Sequence, residues 1–298
     1  MAEEELKELK ERANAVVLAH YYVEGAVQEM ADYVGDSFYL AKIAAKEKKG
    51  TIVFCGVRFM GESAKILNPG SRVLLPDALA DCPMAHMAEV SQIQKLRAEV
   101  PDLAVVCYIN SSAELKAHSD VCVTSSNAVK VVSALPQKNI LFIPDKNLGS
   151  FVAKKMPEKN FYYSGGYCPV HAQLLAEDIL AEKRAHPAAE VLVHPECTEE
   201  VVKAADFAGS TAEIISHAEA GAAQEFILGT EPGVLYELAR RCAGKKFYPV
   251  TPVCEDMKRI TPQKVLACLA GGGYEVEMSA ELMDAARAPL MRMLELAK

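Results

Sequence analysis

No stretch of this 298-residue sequence approaches the ~18–20 uninterrupted apolar residues of a membrane-spanning helix, which argues against a helical membrane protein. The opening Met1-Ala2-Glu3-Glu4-Glu5-Leu6-Lys7 lacks the basic start and apolar centre of a secretory leader, so a cytoplasmic location is expected. Positive charge is in deficit: 32 Lys and Arg face 40 Asp and Glu, a formal net charge of −8. That speaks against nucleic acid as a main partner. It leaves a small anionic substrate open, because a pocket can be locally positive. There is no low-complexity segment and no long linker. No Cys-x-x-Cys pair occurs among the nine cysteines, which excludes the zinc site of the deaminase type. In a reducing compartment those nine are expected as thiols, with metal or catalytic roles ahead of disulfides.

What the chain does have is a threefold internal period. Cys82, Cys168 and Cys254 lie 86 positions apart. Equal spacing alone says little, since about 0.4 such triples are expected by chance from this cysteine count. The surrounding residues repeat as well. Apolar runs end at His20, Tyr108 and His194, and an Asp follows each by 12 positions: Asp32, Asp120 and Asp206. A hydroxyl follows each by 17: Ser37, Ser125 and Thr211. Further apolar runs begin at Ile52, Ile140 and Phe226, and others at Val73, Phe161 and Phe247 precede the three cysteines.

Short apolar runs alternating with helical stretches read as buried parallel strands with crossover helices. The expected fold is α/β: three homologous small α/β/α parallel-sheet domains about a pseudo-threefold axis, with the active site at their junction. The expected units are residues 1–100, 101–186 and 187–298. A terminal helix at 279–298, capped by Ser279 and interrupted or kinked at Pro289, is expected to pack on the first unit.

In parallel sheets, ligands bind beyond the carboxyl ends of the strands. His20 and Tyr22, Tyr108 and Asn110, and His194 and Glu196 would face the axis together. The turns Gly35-Asp36-Ser37, Thr124-Ser125-Ser126-Asn127 and Gly209-Ser210-Thr211 each precede a helical stretch. Free N–H groups and hydroxyls there suit carboxylates or phosphate, alongside ordinary capping. Cys82, Cys168 and Cys254 would each deliver one thiolate, leaving one position of a metal centre open. Zn²⁺ and an iron–sulfur cluster are both compatible, and widely separated single cysteines suit the bulkier 4Fe-4S cluster better. Cys55, Cys107 and Cys122 lie in apolar runs as small hydrophobes, and Cys197, Cys242 and Cys268 have no matching triplet. His194 and Glu196 are candidates for proton transfer, and Tyr22 and Tyr108 for hydrogen bonding or proton donation. His171, three positions after Cys168, could support the ligand or the substrate. His86, His118, His186 and His217 read as surface or packing residues.

Several of these stretches resemble the quinolinate synthase family: Leu18-Ala19-His20-Tyr21-Tyr22, Gly35-Asp36-Ser37, Gly56-Val57-Arg58-Phe59-Met60, Asp81-Cys82-Pro83-Met84, Tyr108-Ile109-Asn110-Ser111, Pro144-Asp145-Lys146-Asn147, Cys168-Pro169-Val170-His171, His194-Pro195-Glu196-Cys197, Gly209-Ser210-Thr211 and Gly229-Thr230-Glu231. The resemblance spans nearly the whole chain. It implies a 4Fe-4S cluster on Cys82, Cys168 and Cys254 with one iron open to substrate. It implies condensation of iminoaspartate with dihydroxyacetone phosphate to quinolinate, releasing phosphate and water, with an aspartate oxidase or aspartate dehydrogenase supplying the imine. It implies a substrate set of His20, Ser37, Tyr108, Asn110, Ser125, His194, Glu196 and Thr211, to which His171 and Ser210 are added, with Met60 lining the site. Tyr22, His194 and Glu196 are the implied catalytic residues. The stretch Glu255-Asp256-Met257-Lys258 is more acidic than the family pattern. Two other readings remain at this point: an iron–sulfur hydro-lyase acting on a small hydroxy acid, and a non-catalytic three-cysteine metal protein.

Overall fold

Three four-strand parallel sheets repeat one connectivity in the computed structural model, which describes residues 3–298. The first unit has β1 (Ala15–His20), β2 (Tyr33–Gly35), β3 (Thr51–Cys55) and β4 (Arg72–Leu75), in the order β2-β1-β3-β4. The second has β5 (Leu103–Tyr108), β6 (Val121–Val123), β7 (Asn139–Ile143) and β8 (Asn160–Tyr163), ordered β6-β5-β7-β8. The third has β9 (Glu190–Val193), β10 (Phe207–Ala208), β11 (Glu225–Gly229) and β12 (Lys246–Pro249), ordered β10-β9-β11-β12. The central strands β1, β3 and β5 are buried along their whole length. Helices cover both sheet faces, which is why these runs are apolar throughout rather than alternating. The expected α/β architecture of three parallel-sheet units is the observed one.

The repeated Asp has a structural role. Asp32, Asp120 and Asp206 each accept the backbone N–H of the neighbouring strand residue Val17, Val105 or Val191, at 2.7, 2.6 and 2.8 Å. The same Asp backbone N–H returns a bond to that Val carbonyl. Each carboxylate also meets a cation from the helix before the unit: Lys10, Arg97 or Lys183. The outer strand is thus tied to the central one at a fixed register. Asp120→Ala is expected to lower stability by about 1–3 kcal/mol, mainly through the lost charged acceptor, since a part-exposed ion pair adds little. Chemical denaturation checks this.

The units are linked in a ring. Helices begin eight residues after each cysteine, at Val90, Ala176 and Pro262, and each packs on the following unit: Val90–Glu99 on β5, Ala176–Ala185 on β11, Pro262–Leu269 on β3 of the first sheet. After it, β13 (Tyr274–Glu275) adds an antiparallel edge to β4. The packing thus runs across the sequence cuts proposed at 100/101 and 186/187.

The expectation placed the C-terminal helix on the first unit. Helix Ala280–Leu296 touches that unit through helix Arg58–Leu67, and the second unit, more extensively, through helix Ala113–Ala117 and β6. Its buried face, Ala286, Leu290 and Met293, closes the junction of the two. The helix also runs through Pro289 without a break. Burial on both sides of the proline outweighs the ~3 kcal/mol that an interior proline costs. Among the described residues, no helix is long and apolar enough to cross a membrane.

Candidate active site

The carboxyl ends of β1, β5 and β9 open onto one cavity of roughly 1120 Å³ of non-atom space, mouth included. That is room for a metal cluster and a small substrate together. Cys82, Cys168 and Cys254 all line it. They are also the three cysteines that are half-buried, whereas Cys55, Cys107, Cys122, Cys197, Cys242 and Cys268 are buried.

A tight helical turn follows each of the three: Pro83–His86, His171–Gln173 and Glu255–Lys258. Backbone N–H groups of that turn face each sulfur: Met84 and Ala85 for Cys82, His171 for Cys168, Met257 and Asp256 for Cys254. Burial pushes all three thiols up, Cys254 to about 11, and the Glu196 charge adds to it at Cys82 and Cys168. Cys254 further raises the Cys82 thiol, and Cys82 that of Cys168. Three sulfurs from three units, each met by N–H donors and each short of a compensating cation, fit a bound metal centre. Cys168, His171 and Glu196 also bring three ligand atoms within 4.8 Å of one another.

Beside the sulfurs lies a buried polar network. Tyr108 donates its hydroxyl to Glu196 Oε1 at 2.6 Å. The other carboxylate oxygen is 2.8 Å from His171 Nδ1 and 3.6 Å from His194 Nδ1. His171 Nδ1 lies 3.3 Å from the Cys168 sulfur, and its Nε2 3.3 Å from Thr230 Oγ1. Tyr22 hydroxyl bonds Thr211 Oγ1 at 2.7 Å and Thr230 Oγ1 at 2.9 Å, joining the first unit to the third.

A family model described as quinolinate synthetase A protein matches residues 4–295. The chain belongs to the quinolinate synthetase A family. A relative from Caldicellulosiruptor saccharolyticus, named quinolinate synthase, is 50% identical over 294 residues, 98% of this chain and 97% of its own. One from Fusobacterium nucleatum, of the same name, is 49% identical over 293 residues and 98% of each chain. A third, quinolinate synthase 2 of Methanosarcina acetivorans, is 47% identical over 293 residues, 98% of this chain and 94% of its own.

In this family member the protonation states separate cleanly. Burial pulls His20 and His194 down to about 3, so both rings are neutral near pH 7. His20 Nδ1 accepts the Tyr22 backbone N–H, and His194 Nδ1 that of Glu196. Those bonds assign the ring proton to Nε2 in each case. Burial opposes charge on Glu196, but at low pH the charge of protonated His194, then His171 and the Tyr108 hydroxyl, outweigh it and hold the carboxyl at about 2. Glu196 therefore ionises before His194 loses its proton, and near pH 7 a carboxylate faces a neutral imidazole. Burial, then the Glu196 charge, keeps the Tyr22 and Tyr108 phenols protonated. The cavity therefore offers one carboxylate base, two neutral imidazole donors and two phenol donors. Asn110 adds an amide oxygen that is buried without a hydrogen-bond partner, an acceptor position for a ligand N–H or O–H.

Of the residues expected at the site, His20, Tyr22, Ser37, Tyr108, Asn110, Ser125, His171, His194, Glu196 and Thr211 reach the cavity with the three cysteines. Met60 and Ser210 are not brought to it. Met60 is buried and lies in a small side cavity against Phe54 and Ser63. Its neighbour Phe59 lines the site instead, because adjacent helical residues point about 100° apart. Ser210 is buried and caps helix Thr211–Ala220 in a reciprocal capping box with Glu213, a Ser-x-x-Glu pattern visible in the sequence. The second hydroxyl turn opens a helix of only six residues, Ala128–Ser133. Its contribution is therefore the Ser125 and Thr124 hydroxyls rather than a strong helix dipole.

Sequence reasoning passed over Thr230, Glu231 and Asp145 as site residues, all with no exposure. For two of them the signal was position: Asp145 and Glu231 stand two residues past β7 and β11 and cap the helix that follows, whereas Val57, in the same place after β3, makes no side-chain cap.

Proposed function

We propose that this chain condenses iminoaspartate with dihydroxyacetone phosphate to form quinolinate, releasing phosphate and water. The observation that carries the reading is the meeting of three equally spaced, half-buried cysteines with His194, Glu196 and Tyr108 around one cavity. Family membership agrees with it. Cys82, Cys168 and Cys254 would hold a 4Fe-4S cluster. Such a cluster, held by three thiolates, supplies an iron with a free position that acts as a Lewis acid on substrate oxygen.

The chain's own residues then divide the work. Ser37, Ser125 and Thr211 supply hydroxyls where the anionic carboxylates and phosphate bind. Helix Ser37–Ala44 and helix Thr211–Ala220 present their positive ends beside two of them. Neutral His20 and His194 donate through Nε2 to substrate oxygens. The Asn110 amide oxygen accepts from the imine nitrogen or a hydroxyl. Glu196 takes protons from substrate carbon, and Tyr22 and Tyr108 return them to oxygen as water leaves. The nine cysteines, all free thiols, suit a reducing cytoplasm. An aspartate-oxidising enzyme would supply the imine.

One observation favours a second reading. The ligand atoms of Cys168, His171 and Glu196 are close enough for a single divalent ion, as a zinc protein would require. Anaerobic reconstitution separates the two. About four irons and four sulfides per chain, with quinolinate formed from freshly generated iminoaspartate and dihydroxyacetone phosphate, is the expected outcome. A full cluster without product would redirect the reading to a hydro-lyase, and zinc without sulfide would overturn it.

A further inference from the structure

The loop that carries the third cysteine is open to solvent on one flank, where Val253 is 43% exposed. On its other flank it is tied to a fully buried acid. The Cys254 backbone N–H donates to Glu231 Oε1 at 3.2 Å. Glu231 Oε2 accepts the Gly233 N–H at 2.6 Å. Lys258, one turn after Cys254, pairs with Glu231 Oε1 at 2.8 Å and donates to the Tyr22 carbonyl at 2.5 Å. Gly233 sits directly on Tyr22: a Cβ there would lie 2.7 Å from the Tyr22 Cα and carbonyl oxygen. The buried Gln28 amide donates to the carbonyls of Tyr21, Val23 and Gly233 around the same contact. Glu231 and Lys258 thus connect the third cysteine loop to the Tyr22 loop of the first unit.

The arrangement recurs. Glu231 precedes Cys254 by 23 positions, and Asp145 precedes Cys168 by 23. Asp145 is fully buried and caps its helix through Oδ1, accepting from Asn147 and Leu148. Burial, then the Glu196 charge, pushes its carboxyl well above the usual range, and its Oδ2 makes no hydrogen bond. In the first unit the equivalent residue is Val57, and Asp81 takes the role by accepting the Cys82 N–H at 2.8 Å. A carboxylate thus accepts the cysteine N–H in the first and third units. The third has an added counter-ion that reaches into a different unit.

We propose that Glu231, with Lys258, is a positioning pair that holds Cys254 in its ligating conformation and couples that ligand to the Tyr22 loop. Glu231 borders the cavity, but both its oxygens are engaged by backbone N–H groups and Lys258. A fixed N–H acceptor sets the backbone of Cys254, and Lys258 prevents Glu231 from being a buried uncompensated charge. The proposal rests on the reading of Cys254 as a metal ligand.

The test uses the full chain with E231A, E231Q and K258M. Two rates are measured after anaerobic reconstitution and in the metal-free protein. The first is loss of the visible cluster absorption to a chelator. The second is alkylation of Cys82, Cys168 and Cys254 by iodoacetamide, read peptide by peptide by mass spectrometry. E231A is expected to lose its cluster ~10–100-fold faster than the parent and to alkylate Cys254 faster with Cys82 unchanged. E231Q, which can keep one acceptor oxygen for the Cys254 N–H but turns its NH2 towards the Gly233 N–H, is expected to give rates between those of E231A and the parent. K258M, which removes the counter-ion and the bond to Tyr22, shifts both rates in the same direction by a smaller factor and keeps the question decidable if E231A does not fold. Parent-like rates in E231A and K258M would overturn the proposal. So would equal acceleration at all three cysteines, which would mean general loosening. If the parent itself takes up no iron and sulfide, the cluster reading fails, and the alkylation rates alone decide whether Glu231 positions Cys254.

Discussion

Cys254→Ser is expected to yield a folded chain that takes up no complete iron–sulfur cluster and forms no quinolinate above background. Cys242→Ser is expected to retain both. The two residues are 12 positions apart in one unit, and their surroundings differ. Cys254 lines the cavity, and its sulfur faces the N–H groups of Met257 and Asp256. Cys242 is 4% exposed at the end of helix Leu235–Arg241, in an apolar cluster with Phe226 and Leu238. There a thiol serves as a small hydrophobe, and a hydroxyl in its place costs some stability without touching the cavity. At Cys254 the change replaces a soft thiolate by a hard, neutral oxygen, which iron–sulfur centres do not favour. Circular dichroism, iron and sulfide per chain, and quinolinate formation should be read on the same samples. If the two variants behave alike, the cysteines at 86-residue spacing are not a ligand set. Cys82→Ser and Cys168→Ser belong with Cys254→Ser.

The repeat carried most of what was legible in the sequence. An offset of 17 located Ser37, Ser125 and Thr211, and all three line the cavity. An offset of 12 located Asp32, Asp120 and Asp206, which do different work in registering outer strands to central ones. Periodicity identifies equivalent positions but does not say whether they face the axis or the sheet. The same gap explains Met60 and Ser210, each one residue from a cavity-lining neighbour, since one step along a helix or at its cap changes the face. Glu231 and Thr230 were harder to read. In the sequence they sit in a Gly-Thr-Glu-Pro turn of the kind found at many protein surfaces. Their burial comes from Tyr22 of the first unit, which packs over them against Gly233. The course after Cys254 was hidden for a related reason. Helix Pro262–Leu269 matches its counterparts in spacing from the cysteine, yet it has no next sheet in sequence to pack on among the described residues. It closes on the first sheet instead.

Glu196→Gln is expected to leave the fold and metal content in place and to lower kcat by ~10²–10⁴-fold with little change in KM. The residue is 4% exposed and is anchored from several directions. Tyr108 and His171 hold its two oxygens, and Asn147 Nδ2 holds its backbone carbonyl at 3.0 Å. Glutamine has the same shape, and its amide oxygen can keep the Tyr108 bond. It lacks the negative charge and cannot accept a proton from carbon. Against burial, the Tyr108 and His171 hydrogen bonds help to keep the carboxyl low, at about 2, which is the state a base in the proposed reaction requires. Tyr22→Phe is the informative companion. It removes a phenol whose proton is firmly held and breaks the bonds to Thr211 and Thr230, while the carboxylate stays. A smaller fall in kcat is expected there, with a rise in KM because Thr211 loses its partner at the substrate wall. Steady-state rates normalised to iron content distinguish the cases. E196Q at the parental kcat would remove Glu196 from proton transfer. A fall in kcat that matched its loss of iron would reassign it to metal retention, as expected if Cys168, His171 and Glu196 form one ligand group.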